Sequence, residues 1–96
     1  MLKTHKQALA NQDLIDIWLY TFNNWGERQA DKYHDELEKA FILLAENPKI
    51  GISCDKVRPG YLKFHSNKHL IMYRINGDTL HIIRVIGDDM DYESHL

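Results

Sequence analysis

The stretch HLIMYRINGDTLHIIRVIGDDMDYESHL, residues 69–96, sets two apolar runs around Asn76-Gly77 and then ends among the carboxylates of Asp88, Asp89 and Asp91. Asn-Gly between apolar runs predicts a β-hairpin, because both residue types accept the positive φ that a two-residue turn demands. Two registers fit. With Asn76-Gly77 as the loop Tyr73 faces Leu80, and with Gly77-Asp78 as the loop it faces Ile82. The registers differ by two residues and a pleat has period two, so the side assignment is common to both. One face is expected to carry Ile71, Tyr73, Ile75, Leu80, Ile82, Arg84 and Ile86. The other is expected to carry Leu70, Met72, Arg74, Thr79, His81, Ile83 and Val85. Both faces are largely apolar, and each needs a cover.

Upstream of the hairpin, Tyr61–Phe64 reads as a further strand, joined to it through HSNK. Lys49–Gly60 has no period and carries Gly, Pro and Asp, so it reads as a loop. Before it, Ala10, Leu14, Ile17, Trp18, Thr21 and Trp25 recur at the spacing of one helical face, and Gly26 follows as a stop. A second helical face runs through Ala30, Tyr33, Leu37, Ala40, Phe41 and Leu44 and closes at Asn47 before Pro48. The aromatics Trp18, Phe22, Trp25, Tyr33 and Phe41 are expected to pack the core and the helix pair. Leu2–Lys6 is a candidate first strand. These elements predict one α+β domain over residues 1–96: an antiparallel helix hairpin packed on a small, mostly antiparallel sheet. Two helices cover one sheet face, so the other is expected to be a partner site, unless the loop and the C-terminal tail fold over it.

Ninety-six residues with 44% hydrophobic and 27% charged content suit a single folded core. A net charge of −2 speaks against tight, direct nucleic-acid binding, and no direct sequence-specific binding is expected, although the charge leaves room for a local basic patch. There is no stretch of the ~20 apolar residues that a membrane helix needs, and MLKTHKQALANQD lacks the core of a secretion signal. With a lone Cys54, these features predict a cytoplasmic protein.

The order of helix hairpin, LAENPKIG, irregular loop, RPGY, basic strand and then HLIMYRI, LHIIRVI and MD resembles the ParE branch of the ParE/RelE toxins of bacterial toxin-antitoxin systems. The resemblance spans Asp13–Asp91. It implies a toxin paired with a ParD-like antitoxin and acting on DNA gyrase, which ParE-type members trap on cleaved DNA. RelE-type members are instead ribosome-dependent mRNA endonucleases, and an inactive interaction module of the same fold is a third reading.

The C-terminal segment separates these branches. An RNA-cleaving relative needs cations and a proton-transfer group beside the scissile phosphate. Here the last strand runs into Gly87-Asp88-Asp89-Met90-Asp91, whose carboxylates repel a phosphodiester, and Gly87 stands where many relatives place His. No catalytic residue, metal ligand set or cofactor is therefore expected. The six histidines lack ligand spacing, with His69 and His81 falling on opposite faces. The expected partner-binding residues are Arg58, Tyr61, Lys63, Arg74, Arg84, Met90 and Tyr92. Arg74 and Arg84, placed on opposite faces, suit either a buried ion pair or an interface.

Overall fold

Gly26 alone separates two long helices. Its φ of 91° is one that a side chain rarely tolerates, which is why the chain can reverse there within a single residue. The computed structural model describes residues Met1–Leu96. Helix α1 covers Ala8–Trp25 and α2 covers Glu27–Glu46, preceded by strand β1 at Lys3–Lys6. Strands β2 (Ile52–Ser53), β3 (Tyr61–Ser66), β4 (His69–Asn76) and β5 (Thr79–Gly87) follow, and a short 3-10 helix at Tyr92–His95 ends the chain. The sheet order is β1-β5-β4-β3-β2, with β1 parallel to β5 and every other pair antiparallel. This is the predicted α+β architecture. Strand β1 lies at Lys3–Lys6 within the candidate stretch, whereas β2 interrupts what read as an unbroken loop.

In the β4–β5 hairpin Asn76 pairs with Thr79, so Gly77-Asp78 is the loop and Tyr73 faces Ile82. The expected side assignment holds only up to that pair. Met72 lies opposite Arg84, which leaves Ile83 as an extra residue and makes a β-bulge. Beyond the bulge the alternation inverts: Val85 pairs with Ile71, and Ile86 pairs with Leu70. Val85 therefore enters the helix-side core, while Arg84 shares the outer face with Met72 and Arg74. The expected placement of Arg84 and Ile86 beside Tyr73, and of Arg74 and Arg84 on opposite faces, is thus corrected by one inserted residue.

The main core joins Ala10 and Leu14 of α1 and Leu37, Phe41 and Leu44 of α2 to Ile71, Tyr73, Leu80, Ile82 and Val85 of the sheet. Tyr73 is fully buried, and its hydroxyl accepts from the Gly51 amide at 3.0 Å and donates to the Pro48 carbonyl at 2.8 Å. It thereby ties the chain after α2 to the sheet. At the other end Tyr33 of α2 donates to His69 Nδ1 at 2.6 Å while accepting from the Lys68 amide at 3.3 Å.

A second, smaller cluster occupies the outer face. Cys54, Met72 and Ile83 are buried there against Tyr61, Leu70, Tyr92 and Leu96. The loop and the tail do cover the sheet's second apolar face, so it is not the open partner site that the pattern suggested. No second helix layer is needed: a loop and a single turn of 3-10 helix suffice because the apolar patch is small, three buried residues with four packed against them.

Candidate functional site

With the apolar patch of the outer sheet face covered, the open apolar surface lies on α1. Leu9, Ile15, Leu19, Tyr20, Phe22 and Trp25 are all exposed, Trp25 at 64% and Ile15 at 53%. Ile15, Leu19 and Phe22 follow i, i+4, i+7 spacing, a second apolar stripe beside the buried one through Ala10, Leu14 and Thr21. Along this stripe runs a groove of about 550 Å³. Leu14, Ile15, Trp18 and Leu19 form its apolar wall, and Lys6, His34 and Glu38 its polar one. Lys6 Nζ contacts Glu38 at 2.7 Å, and His34 Nε2 lies 3.6 Å from the same carboxylate. Trp18 is fixed by stacking on Phe22, with ring centroids 5.2 Å apart, and by donating its Nε1–H to Asp31 at 3.0 Å. The expectation that Phe22 and Trp25 serve the core is corrected: both are exposed near the end of α1. A helix apolar on two sides is the sequence signal for this stripe, and a reading confined to the buried face overlooks it.

The expected partner-binding residues separate into three groups. Arg58 sits over the Tyr61 ring, 5.1 Å from its centroid, and Tyr61 pairs across the strands with Arg74. Lys63 lies 4.0 Å from the centroid of the Tyr92 ring, which pins the tail to β3. Met90 is 45% exposed on the turn before the 3-10 helix. Arg84 stands apart, gripped by Asp13 through Nε at 2.8 Å and Nη2 at 2.9 Å. That hydrogen bond raises its pKa further above the ordinary value and marks Arg84 as a structural cation.

The tail carboxylates also have local partners. Asp88 lies 2.9 Å from His65 Nε2, and Asp91 caps the 3-10 helix by accepting from the Glu93 amide at 3.1 Å. No three His, Cys, Asp or Glu side chains converge in a group that could hold a metal. Burial pushes the Cys54 thiol up in pKa, away from the reactive thiolate. No helix is long and apolar enough to cross a membrane.

Fold and surfaces together define a small α+β protein with an open apolar groove on its helix hairpin and a cationic-aromatic patch on the far side of its sheet. Residues 6–92 match the family described as ParE toxin of type II toxin-antitoxin system, parDE. The chain is 40% identical over 88 residues to Toxin ParE1 of Mycobacterium tuberculosis, covering 91% of this chain and 90% of that protein. It is 38% identical over 87 residues to Toxin ParE1 of Caulobacter vibrioides, at 91% and 90% coverage. A solved structure described as a chromosomal ParDE TA system from P. aeruginosa shares the fold, with a TM-score of 0.79, 19% identity, and coverage of 91% of this chain and 96% of that one. The chain belongs to the ParE toxin family of type II toxin-antitoxin systems.

Proposed function

We propose that residues 1–96 act as one domain, a cytoplasmic toxin that poisons DNA gyrase by binding and is neutralised by a ParD-like antitoxin. The observation that carries the antitoxin half is the unpartnered stripe of Ile15, Leu19 and Phe22 beside a groove edged by Lys6, His34 and Glu38. An amphipathic antitoxin segment would place its apolar side on the stripe and its polar side along that rim. The target half draws on the outer face, where Arg58, Tyr61, Lys63 and Arg74 stand with Met90 and Tyr92 of the tail.

Action without catalysis is supported by the state of the C-terminal segment. Tyr92 is packed beneath Lys63, Asp88 is engaged by His65, and Asp91 is used as a cap. These groups serve to close the tail on the sheet, and their carboxylates disfavour an approaching phosphodiester at that end. Expression in bacteria tests the whole reading. Growth arrest with chromosome breakage, relieved by co-expressing the antitoxin, is the expected result; arrest with cleaved mRNA and intact chromosomes would transfer the protein to the RelE-like mode.

A further inference from the structure

The outer face carries a line of side chains across four strands and the loop beside them. Tyr61 of β3 pairs with Arg74 of β4, Arg74 with His81 of β5, and His81 with His5 of β1. Adjacent strands stand ~4.8 Å apart, so the line from Tyr61 to His5 extends roughly 14 Å. The His5 and His81 rings meet edge to face with centroids 5.6 Å apart, and Arg58 extends the line past Tyr61. We propose that this row is a binding site for the phosphodiester backbone of nucleic acid, engaged without reading sequence.

Three observations carry it. First, the cations are not neutralised. Arg58, Lys63 and Arg74 form none of the chain's salt bridges, whereas Arg84 on the same face is neutralised by Asp13. Second, polar groups lie unused: the His81 Nδ1 ring nitrogen is buried without a hydrogen-bond partner, and neither Arg58 nor Arg74 spends its guanidinium on a side-chain hydrogen bond. Third, the local field is positive. Burial, then Arg74 and then His5 hold the His81 imidazole below its ordinary pKa, so the row opposes an added positive charge. An anion seated on the row would relieve that repulsion.

Length favours a backbone over a small anion. A line of roughly 14 Å can meet two or three successive phosphates. Asp88, Asp89 and Asp91 lie beyond the end of β5, and Asp55, the carboxylate nearest Tyr61 in the loop, is engaged by the Gly60 amide at 2.8 Å. The inference deepens the gyrase reading, because DNA held by gyrase would supply the phosphates, yet naked oligonucleotides test it separately.

Fluorescence anisotropy of the purified full chain with labelled duplex DNA, single-stranded DNA and RNA of equal length is the test. With three cations engaged, log K for duplex DNA should fall against log salt with a slope near −2.7, about a 40-fold weakening between 50 and 200 mM. Arg74→Gln should reduce that slope by about one and weaken binding equally for every sequence tried. Arg58→Gln should act in the same direction, and thermal melts confirm that each variant is folded. The three probes distinguish which nucleic acid fits the row best, and inorganic phosphate should compete only at millimolar concentration. Binding that ignores salt, or that survives Arg58→Gln combined with Arg74→Gln undiminished, overturns the proposal. So does a folded Arg74→Gln chain that keeps oligonucleotide affinity and loses antitoxin instead, since the row would then serve a carboxylate-bearing protein segment. Oligonucleotide binding by a chain that leaves gyrase unaffected would support this inference and strike only the proposed target.

Discussion

Arg84 and Asp13, 71 residues apart, meet in a two-pronged ion pair, and the same Asp13 carboxylate accepts the Val85 amide at 2.9 Å. Strand β1 ends at Lys6, paired with Ile82, so the outer edge of β5 has no strand neighbour from Ile83 onward. The bulge at Ile83 sends Val85 into the core, and Asp13 of α1 satisfies the amide left at the edge. One carboxylate thus anchors helix, bulge and cation together.

Removing that carboxylate should therefore cost more than a surface ion pair. Asp13→Ala leaves a largely buried guanidinium and a backbone amide unpaired, with an expected loss of about 3 kcal/mol in a urea melt. Asp13→Leu combined with Arg84→Met should recover part of it, because the uncompensated charge is gone while the Val85 amide still lacks its acceptor.

The Tyr73 hydroxyl should be as sensitive. Tyr73→Phe strands the Gly51 amide and the Pro48 carbonyl, for an expected loss of about 1–3 kcal/mol. Gly51→Ala attacks the same junction from the other side. Its Cβ would collide with the Tyr73 hydroxyl and approach the Lys63 carbonyl oxygen to 2.9 Å. An overpacking loss of about 1–3 kcal/mol is expected, and Gly51→Ala placed on Tyr73→Phe should cost less than the sum of the two.

Much of this framework was legible in the residues. The 3.6-residue period gave both helices, Gly26 their turn, and the Asn-Gly stretch the main hairpin. Strand β2 was not legible, because its two residues have no period of their own and are defined only by pairing with Leu62 and Lys63. The bulge was invisible for a related reason: strict alternation through LHIIRVI admits no inserted residue, so Arg84, Val85 and Ile86 were assigned to the wrong faces. Of the site, the adjacency of Arg58 and Tyr61 is written in RPGY, but the pairing of Tyr61 with Arg74 needs the strand register, and the partner of Arg84 lies in another element far along the chain. The α1 stripe was written in Ile15, Leu19 and Phe22, and was missed because a neighbouring stripe already explained a helix.

Acid should weaken the fold. Burial lowers the pKa of His69 against the opposing pull of Asp88, Asp89 and Asp13, and burial with Arg74 and His5 lowers that of His81. A base with a depressed folded-state pKa binds more protons when unfolded, so its contribution is complete above the ordinary imidazole value of 6.5 and declines as pH falls below it. Urea midpoints measured from pH 8 to pH 5 should drop below that value, and His69→Gln should flatten the decline. A midpoint that rises on acidification would contradict the assignment of buried, neutral imidazoles.

Deleting residues 88–96 should do more than remove a charged tail. Tyr92 and Leu96 pack over Met72 and Ile83, so truncation uncovers the outer apolar cluster and should cause a lower melting temperature and self-association. Tyr92→Ala retains the tail and should cost about 1–2 kcal/mol, since the ring is only partly buried. If the truncated chain melts like the intact one and stays monomeric, the tail is not the cover described here.

The most direct measurement is plasmid cleavage in a reaction containing gyrase, ATP and increasing amounts of the purified chain. Linear plasmid released by detergent and protease, rising with toxin and abolished by prior mixing with the antitoxin, is the predicted result. An unchanged gyrase, together with position-specific cuts in ribosome-bound mRNA, would contradict it.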